Sequence, residues 1–354
     1  MFDLSTLQTD LAQAKWAFTT RRVVRSDISG LTNAIDMARS GDLLLAETQQ
    51  IGQHRRIQLT TGRYTENYPG AHVVLTVGSR YAPDQFEGVA ELDPDGSDLM
   101  ASGGVLGRVI TANHRMKSPT KLRPIGLLTN RQGDVVNLKD YALPHQTVPD
   151  DVTIIAVFGT SMNSGKTTTA VSLAQGLKRA GYNVAGIKAT GTGAFGDYNA
   201  FEDVGVPVLD FVDAGANSTY LMSMDQVYKS FETLVGAAAA NGAQIVVVEF
   251  ADGVFQRETS AVLAQPRFCD RFDGVLFAAP DALSAVGGVS VLRNHGIEPL
   301  AVSGPITVSP LAVAEAKAVI GVSAVSRDEL RMPQNADALV AHCLRPKARY
   351  RHAA

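Results

Sequence analysis

The chain has few cysteines, little net charge and no long hydrophobic run. Its two cysteines, Cys269 and Cys343, are too few for a disulfide framework and lack the paired spacing of a zinc site, so we expect two reduced thiols. No apolar stretch reaches the ~20 residues that cross a bilayer, and the N-terminal segment carries acidic residues without an apolar signal-peptide core. We therefore expect a cytoplasmic protein with no membrane partner.

The net charge gives no general argument for nucleic-acid binding. A formal charge of −3 provides no overall attraction to phosphate backbones, although the clusters at 21–25, 54–56 and 114–123 are locally basic. Few aromatic residues that could stack on bases lie among these clusters. We interpret the clusters as solvated surface and expect no nucleic-acid partner.

Changes in composition and hydrophobic periodicity divide the 354 residues into four segments. A chain of this length can form two domains. Residues 1–41 have helical periodicity and predict an N-terminal helical segment with two short helices. Residues 42–148 contain short β-rich runs separated by turn residues, which predicts a small antiparallel barrel or sandwich. The proline- and aspartate-rich stretch 143–151 marks a boundary, residues 149–345 form the second domain, and residues 346–354 are a tail that we expect to be frayed.

Strands and helices alternate in the second domain, which makes it an α/β domain. The alternation predicts a parallel sheet flanked by helices on both faces, preceded in the chain by the smaller β-rich domain. In this architecture, ligands bind outside the carboxyl ends of the strands. The predicted strands are 153–158, 183–188, 206–211, 244–249, 273–278 and 298–303, and the predicted helices are 166–180, 223–241, 281–295 and 309–319.

The most informative stretch, residues 154–170, reads IIAVFGTSMNSGKTTTA. An apolar strand runs into a loop that contains glycine, serine and lysine and then into a helix, which is the order of a phosphate-binding P-loop. Its glycines would let backbone N–H groups close on phosphate oxygens, its lysine would reach the terminal phosphates and a threonine hydroxyl would ligate Mg²⁺. The first glycine lies one residue earlier than in the standard pattern. The predicted nucleotide-binding residues are Gly159, Thr160, Asn163, Ser164, Gly165, Lys166, Thr167 and Thr168.

Charged residues follow two further predicted strands of this domain. Lys188 ends an apolar strand before the loop ATGTGAFGD, and Glu249 ends the apolar run IVVV. A carboxylate at the end of a buried strand beside the P-loop strand has the position of a Walker-B acid, which holds Mg²⁺ opposite Thr167. Asp197, in the loop after Lys188, is a further candidate for the metal or for a polar substrate. We therefore predict Lys166, Lys188, Asp197 and Glu249 as catalytic residues, and Thr167, Asp197 and Glu249 as metal ligands.

Purely structural alternatives exist for each of these positions. Lys188 could be a strand-end lysine that points to water, and Glu249 or Asp252 could cap a helix or belong to a turn. The acids at 202–203, like Asp197, could equally cap a helix. The acids at 210–213 precede a loop that is equally typical of a substrate site and of a helix start.

Three motifs in this order, GTSMNSGKTTT, RAGYNVAGIKATGTG and VVVEFADG, resemble the dethiobiotin synthetase branch of P-loop proteins. The resemblance covers about residues 153–255, and the longer glycine spacing of the loop fits this branch. It implies that the loop lysine and threonine handle the triphosphate and Mg²⁺. It also implies that Lys188 contacts the reacting carboxyl or phosphoryl group and that Asp197 and Glu249 serve the metal.

The chain also departs from that family and resembles two others. Ser161 stands where the family usually has an aspartate, Phe250 follows the glutamate, and the β-rich domain at 42–148 is not part of the family's pattern. The order of loop, strand and lysine is similar to the MobB adaptors of molybdopterin-guanine dinucleotide biosynthesis, which implies GTP binding. The segments KATGTGAFGD and EFADGVFQ are similar to DgcN-type proteins, which implies N-acetylation of D-glutamate and a loop that holds the phosphates of coenzyme A.

The leading hypothesis is an enzyme that uses ATP and Mg²⁺ to phosphorylate or ligate a small metabolite with a carboxylate or amine group. An acyl-coenzyme A-dependent N-acyltransferase and a GTP-binding adaptor are the alternatives, and the sequence lacks the N-K-x-D motif that would support guanine. A polynucleotide kinase, with an oligonucleotide-binding barrel, is a weaker alternative. Because members of this P-loop branch often dimerise, the resemblance also implies a homo-oligomer.

Overall fold

The computed structural model describes residues 4–346, which form two compact units. The first unit contains the described residues up to 143 together with the segments 191–196 and 211–221. The second unit contains residues 144–190 and 197–210 and the described residues from 222 onward. Apart from residue 346, the predicted tail at 346–354 lies outside the described residues.

The first unit begins with one helix and then consists of short strands. Single turns of 3-10 helix lie between or after them, such as Phe18–Thr20 after β1 and Leu138–Tyr141 after β10. The elements are α1 (Leu4–Gln13), β1 (Lys15–Trp16), β2 (Gly30–Thr32), β3 (Leu43–Gln50), β4 (Arg56–Gln58), β5 (Tyr64–Glu66), β6 (His72–Val77), β7 (Phe86–Val89), β8 (Ser97–Ala101), β9 (Val105–Ala112) and β10 (Thr120–Thr129).

Five of these strands close into a barrel. The pairing runs from β6 through β3, β10, β8 and β9, and β9 pairs with β6 again. The pairing of β6 with β9 is parallel, whereas the other four are antiparallel. The β-rich domain that the sequence predicts is therefore a barrel and not a sandwich, and it contains one parallel pair.

The barrel is buried on both of its faces along β3. Leu44 and Ala46 belong to the apolar cluster that all five barrel strands share, and Leu43 and Leu45 pack in a second cluster with Leu7 and other residues. Because successive side chains of a strand point to opposite faces, burial of both faces requires a continuous apolar run. The sequence LLLA of β3 meets this requirement.

The prediction of two helices in residues 1–41 is wrong for the second helix. α1 is the one α-helix in the described part of this segment. Residues 30–32 form β2 and pair with the end of β10, where Leu31 lies opposite Leu128, and Ile35–Met37 is a single 3-10 turn. Pairing with a barrel strand gives the backbone N–H and C=O groups of β2 hydrogen-bond partners. This stabilisation by a strand distant in the sequence outweighs the local preference for a helix.

The second unit is built on six parallel strands. The strand and helix predictions for this part of the chain are confirmed, with bounds shifted by a few residues. The strands are β11 (Thr153–Gly159), β12 (Val184–Lys188), β13 (Val208–Asp210), β14 (Ile245–Glu249), β15 (Gly274–Ala278) and β16 (Ala301–Ser303). The helices are α2 (Lys166–Arg179), α3 (Phe195–Asp203), α4 (Met224–Ala240), α5 (Arg257–Leu263), α6 (Pro266–Cys269), α7 (Ala282–Asn294), α8 (Pro310–Ile320), α9 (Arg327–Leu330) and α10 (Pro333–Val340). The first residues of α3 belong to the segment 191–196 of the first unit.

The register of the sheet brings the ends of its central strands to one edge. The strand order is β13-β12-β14-β11-β15-β16, and all neighbouring strands are parallel. Lys188 at the end of β12 is level with Glu249 at the end of β14, and Glu249 is level with Val157 near the end of β11. Two predicted site residues therefore lie at the same edge as the P-loop strand.

Helices cover both faces of this sheet. On one face, Ile155 and Val157 of β11 pack in a cluster that includes residues of α2, α9 and α10. On the other face, Phe158 stacks on Phe250 with ring centroids 4.9 Å apart, and Phe231 of α4 packs 6.2 Å from Phe250. The alternation of side chains along β11 explains why the whole strand is apolar.

No helix of the described residues is long and apolar enough to cross a membrane.

A partly buried histidine of the first unit has a perturbed pKa. His54 Nε2 donates to the Met100 carbonyl at 2.8 Å, and Nδ1 accepts from the Ser102 hydroxyl at 3.1 Å. Desolvation and, to a smaller extent, the guanidinium of Arg80 lower the pKa of His54 from 6.5 to about 4, although the bond to Met100 opposes the shift. The folded unit therefore holds this imidazole in its neutral form.

We expect the first unit to lose stability as the pH falls from 6.5 towards 4. In this window the unfolded chain protonates His54 and the folded unit does not, so the stabilisation present above pH 6.5 is lost on acidification. A shift of this size corresponds to at most about 3 kcal/mol, and to about 2 kcal/mol at pH 5. Trp16 is the single tryptophan of the chain and is buried in this unit, so its fluorescence during urea unfolding reports the loss.

The matched variants are His54→Gln and, as a control, His114→Gln at an exposed position. His54→Gln should reduce the pH dependence of the urea midpoint between pH 7.5 and 5, because glutamine does not titrate. The control should behave as the parent does. An unchanged pH dependence in His54→Gln would show that this histidine is protonated in the folded unit.

Candidate functional site

The loop between β11 and α2 has the backbone geometry of an anion-binding turn. Asn163 and Gly165 have positive φ angles of 64° and 95°, and Gly165 directly precedes α2. Asparagine and glycine tolerate this region better than other residues do. The first N–H groups of α2 have no helical acceptors, so they and the helix dipole favour an anion at this end. The predicted phosphate loop therefore has the form that its function requires.

Lys166 is held inside the loop and not in solvent. Its residue exposure is 5%, and Nζ donates to the Ser161 carbonyl at 2.7 Å. Burial lowers the pKa of Lys166; the carboxylates of Glu249 and Asp252 raise it, and the ammonium group of Lys188 lowers it further. A desolvated ammonium group gains more from a nearby anion than one in water does. An anion that enters the loop would find this cation already in place.

Thr167 lies between two carboxylates that come from distant parts of the sequence. Its Oγ1 is 2.9 Å from Asp197 Oδ1 and 3.0 Å from Glu249 Oε1. A hydroxyl carries one proton and can donate to only one of these oxygens at a time. The two carboxylates therefore crowd one hydroxyl, and a cation among the three oxygens would relieve their repulsion.

Glu249 has an oxygen that the described residues leave without a partner. The residue is 2% exposed, and its Oε2 atom is buried and accepts no hydrogen bond from the described residues. Such an orphaned oxygen requires an explanation, and a bound ion is one. Mg²⁺ prefers oxygen ligands and is commonly held by one or two carboxylates together with substrate phosphates. Thr167, Asp197 and Glu249 therefore fit Mg²⁺.

The protein alone offers only part of a metal coordination shell. Among residues 4–346, no cluster of three or more His, Cys, Asp or Glu side chains is suited to a metal ion. A divalent cation at Thr167 would need further oxygens from a ligand or from water. This incomplete set is typical of a site in which a nucleotide brings the metal.

Lys188 points into the same cleft. It forms an ion pair with Asp197 Oδ2, and its side chain is 11% exposed, so it is not a strand-end lysine in bulk water. Asp197, in the first turn of α3, thus contacts Lys188 through one oxygen and Thr167 through the other. This carboxylate connects the end of β12 to the start of α2.

These side chains surround one cleft of about 320 Å³ within the second unit. Met162, Ala251 and Asp252 complete its lining. Gly159, Thr160 and Ser164, which the sequence also predicts, are not among its lining residues. The predicted residues that line it are Asn163, Gly165, Lys166, Thr167, Thr168, Lys188, Asp197 and Glu249.

Two threonines that the sequence analysis missed hold the segment after Glu249. Thr190 Oγ1 donates to the Ala251 carbonyl at 2.7 Å and accepts from the Ala251 N–H at 2.8 Å, and Thr259 Oγ1 donates to the same carbonyl at 2.8 Å. Both threonines are buried. The position of Thr190, two residues after Lys188 in the loop ATGTG, was the available signal. Phe250 is fully buried and stacks on Phe158, so its departure from the family pattern lies in the core.

The other acidic candidates do not reach the cleft. Residues 202–203 are exposed at the end of α3, and Asp210 is buried at the end of β13 without lining the cleft. Asp213 belongs to the first unit, where it forms an ion pair with Arg21 at 2.7 Å.

The close approach of the segment after Glu249 to the phosphate loop depends on Gly253. A Cβ at this position would lie 2.2 Å from the Thr160 carbonyl oxygen and 2.8 Å from Ser161 Cα. Both are backbone atoms and cannot rotate away. The N–H of Val254 also donates to the Gly159 carbonyl at 3.0 Å. The two segments are therefore packed backbone against backbone.

We expect Gly253→Ala to lower the free energy of unfolding by about 1–3 kcal/mol, the usual cost of overpacking. Gly287→Ala is the control, because an added Cβ in α7 meets nothing within 4 Å. That control should raise stability by about 0.5–1 kcal/mol through helix propensity. Urea unfolding followed by far-UV circular dichroism measures both. Equal stability of the two variants would contradict the steric argument.

The comparison with known families agrees with this geometry. Residues 155–265 match the model of the CobQ/CobB/MinD/ParA nucleotide binding domain, named CbiA. No curated protein matches the sequence. The match begins in β11 and ends just after α5, so it contains the loop, Lys188, Asp197 and Glu249.

Solved structures that match part of this chain, at low identity and low TM-score, include two proteins of signal recognition. The signal recognition particle 54 kDa protein from Aeropyrum pernix K1, in complex with GDP, is 19% identical over 55% of this chain, with a TM-score of 0.37. The signal recognition particle receptor FtsY from Elizabethkingia anophelis is 16% identical over 59% of this chain, with a TM-score of 0.39, and the alignment covers 75% of FtsY. The chain spans 50% of the length of the first of these proteins. The family match and the loop geometry show that this chain contains a P-loop nucleotide-binding domain.

Proposed function

We propose that this protein is a Mg²⁺-dependent enzyme that binds ATP and transfers its terminal phosphoryl group to a small metabolite with a carboxylate or amine group. The transfer would be a complete kinase reaction or the first step of a ligation. The observation that carries the proposal is the position of the Thr167 hydroxyl between the carboxylates of Asp197 and Glu249. Lys166 and Lys188 line the same cleft.

The binding roles follow from the contacts in the cleft. The N–H groups at the start of α2 and the ammonium group of Lys166 would bind the β- and γ-phosphates, and Lys166 would exchange the Ser161 carbonyl for a phosphate oxygen. Thr167 and Glu249 would hold Mg²⁺, which supplies positive charge at the phosphoryl oxygens when bound. The orphaned Oε2 of Glu249 is the atom best placed to gain a partner from this binding.

A second desolvated lysine favours group transfer over simple nucleotide binding. Lys188 lies across the cleft on β12, where it could bind the transferred phosphoryl group or an acceptor carboxylate in place of Asp197. In the transfer, an acceptor oxygen or nitrogen forms a bond to the γ-phosphorus, and the bond to the bridging oxygen breaks as ADP leaves. A carboxylate acceptor is already deprotonated at neutral pH, whereas an amine would react as the free base.

ATP is the proposed nucleotide because no Asn-Lys-x-Asp guanine motif follows β16, where the sequence is SGPIT. GTP and acetyl-coenzyme A are the competing ligands that an experiment has to separate. Each of them stabilises a protein that binds it, by an amount that grows with ligand concentration relative to Kd.

We expect Lys166→Met to abolish the rise in melting temperature that ATP and Mg²⁺ cause in the parent. At a concentration of about 100 Kd, the ligand should stabilise the parent by about 2.7 kcal/mol, and the variant should show no such gain. Lys178→Met is the control, because Lys178 is an exposed lysine of the same helix. Thermal unfolding is measured with ATP, GTP or acetyl-coenzyme A, each with and without Mg²⁺. The proposal fails if Lys166→Met responds as the parent does, or if acetyl-coenzyme A stabilises without Mg²⁺ and ATP does not.

We expect Glu249→Gln to separate metal binding from nucleotide binding. The variant should bind ATP without Mg²⁺ at least as well as the parent, because a negative charge has left the cleft. The Mg²⁺ concentration for half-maximal ADP release should rise by at least about tenfold. ADP release is measured with a panel of small carboxylates and amines as acceptors. Glu315→Gln, at an exposed position of α8, is the control, and an unchanged Mg²⁺ requirement in Glu249→Gln would remove this residue from the metal site.

A further inference from the structure

Two basic clusters of the sequence lie side by side on the surface of the first unit. The N–H of Gln53 donates to the Ser118 carbonyl at 2.8 Å, and the N–H of Lys117 donates to the side-chain oxygen of Gln53 at 3.2 Å. These bonds join the loop 52–56 to the loop 113–119. We call the exposed arginines and lysine of the two loops the basic patch, and they are Arg55, Arg56, Arg115 and Lys117.

The cations of the basic patch form no ion pair in the part of the chain that the structure describes. Glu66 lies opposite Arg56 in the pairing of β4 with β5, yet the two side chains are not joined as an ion pair there. The remaining basic residues of the second cluster are paired, and these pairs are Lys121–Asp98 and Arg123–Glu47. An exposed cation without an internal partner keeps its charge available for an anion from outside. The patch therefore offers concentrated positive charge, although the net charge of the whole chain is −3.

Two exposed aromatic rings lie beside these cations. The guanidinium group of Arg56 is 4.2 Å from the ring centroid of Tyr64, which is 41% exposed. The N–H of Asn67 donates to the Arg55 carbonyl at 2.9 Å, and the next residue, Tyr68, is 62% exposed. The basic clusters themselves contain no tyrosine. The pairing of β4 with β5 therefore supplies the patch with aromatic surface that the composition of the clusters does not reveal.

We propose that the basic patch and its two tyrosines bind single-stranded nucleic acid. Phosphates contact Arg55, Arg115 and Lys117, while bases stack on the guanidinium plane of Arg56 and on the ring of Tyr68. In the sequence the two loops are distant and each cluster is typical of solvated surface, so the combination arises only from the fold. The proposal concerns the first unit and does not rest on nucleotide binding by the phosphate loop.

The rings favour a single strand over two other anionic partners. In a duplex the faces of the bases are stacked on one another, so a protein ring cannot reach them without unstacking. An acidic protein segment would gain from the cations but has no planar groups in series to stack on the arginine and tyrosine. A single strand presents both phosphates and open base faces, and every base has a face that can stack.

A triple variant, Arg55→Gln/Arg115→Gln/Lys117→Gln, tests the phosphate contacts. Fluorescence anisotropy of labelled single-stranded RNA or DNA of about 12 nucleotides measures binding to the full chain between about 50 and 200 mM salt. We expect the variant to bind at least about tenfold more weakly at the lowest salt. The slope of log K against log salt should fall in magnitude by about 2, since each lost phosphate contact removes about 0.7. RNA and DNA are measured separately to show which of them binds more tightly.

Tyr68→Leu tests stacking without a change of charge. We expect it to weaken binding by at least about fivefold and to leave the salt slope as in the parent, because no phosphate contact is lost. The control for this variant is Phe255→Leu, at an 82% exposed position of the second unit. The control for the triple variant is Arg131→Gln/Lys139→Gln/Lys317→Gln, which removes the same charge at exposed positions outside the patch. Both controls should keep the affinity and the salt slope of the parent.

Several outcomes would overturn the proposal. The parent may bind no single strand at the lowest salt, or the triple variant may bind as the parent does while thermal unfolding shows both to be folded. Equal affinity of the parent for a duplex or for polyglutamate of the same charge would show that the patch recognises charge alone. Weaker binding in Tyr68→Leu and in the triple variant, with both controls unchanged, supports the proposal. None of these results bears on the proposed function, whose residues lie in the second unit.

Discussion

The second unit depends on keeping buried charges of both signs in balance at one edge of its sheet. Lys188 and Glu249 are register partners at the ends of β12 and β14, and Lys166 is buried beside them. An isolated ion in this environment would cost several kcal/mol, so each cation needs a carboxylate within reach. This requirement explains why Asp197 of α3 lies against both Lys188 and Thr167. The start of α2 and the ends of β12 and β14 therefore lie around the same cleft. No single helix or strand could form this arrangement alone.

The sequence predicts the part of the site that follows from strand ends. Glu249 and Lys188 each terminate an apolar run, and carboxyl ends of parallel strands share an edge, so their location at the same edge of the sheet follows from the order of the residues. That they are direct neighbours depends on the pairing of β12 with β14. The hydrogen bonds from Thr190 and Thr259 to the Ala251 carbonyl cannot be predicted in this way. Each is a single hydroxyl contact, and the threonines lie 61 and 8 positions from Ala251 in the sequence. Hydroxyls are common in loops, and no periodicity distinguishes one that braces a backbone from one that faces water.

The barrel shows the complementary limit of sequence patterns. Alternation identifies a strand when one face is wet, but β3 is buried on both faces and reads as a plain apolar run. Closure depends on the parallel pairing of β6 with β9, which joins Thr76 to Val105, and a pairing at that distance in the sequence leaves no local mark. The same reason accounts for β2, where residues 30–32 pair with β10 in the segment for which the sequence predicts a second short helix. Turn residues therefore predict the class of the domain, and long-range pairing decides its topology.

The phosphate loop and its surroundings contain buried polar and charged groups whose burial is unfavourable in the free protein and would be compensated by a bound ligand. Lys166 is desolvated and bonds to a carbonyl of its own loop, and Glu249 Oε2 has no partner in the described residues. The cost of burying these groups is incurred on folding, so a phosphate and a cation would gain contacts in the cleft with little further desolvation of the protein. In sites of this kind, the same buried polar groups lower the stability of the free protein and raise its affinity for a ligand. The buried Oε2 of Glu249 and the desolvated Lys166 therefore point to a ligand in the cleft more directly than the loop motif does, because a motif records only composition and order.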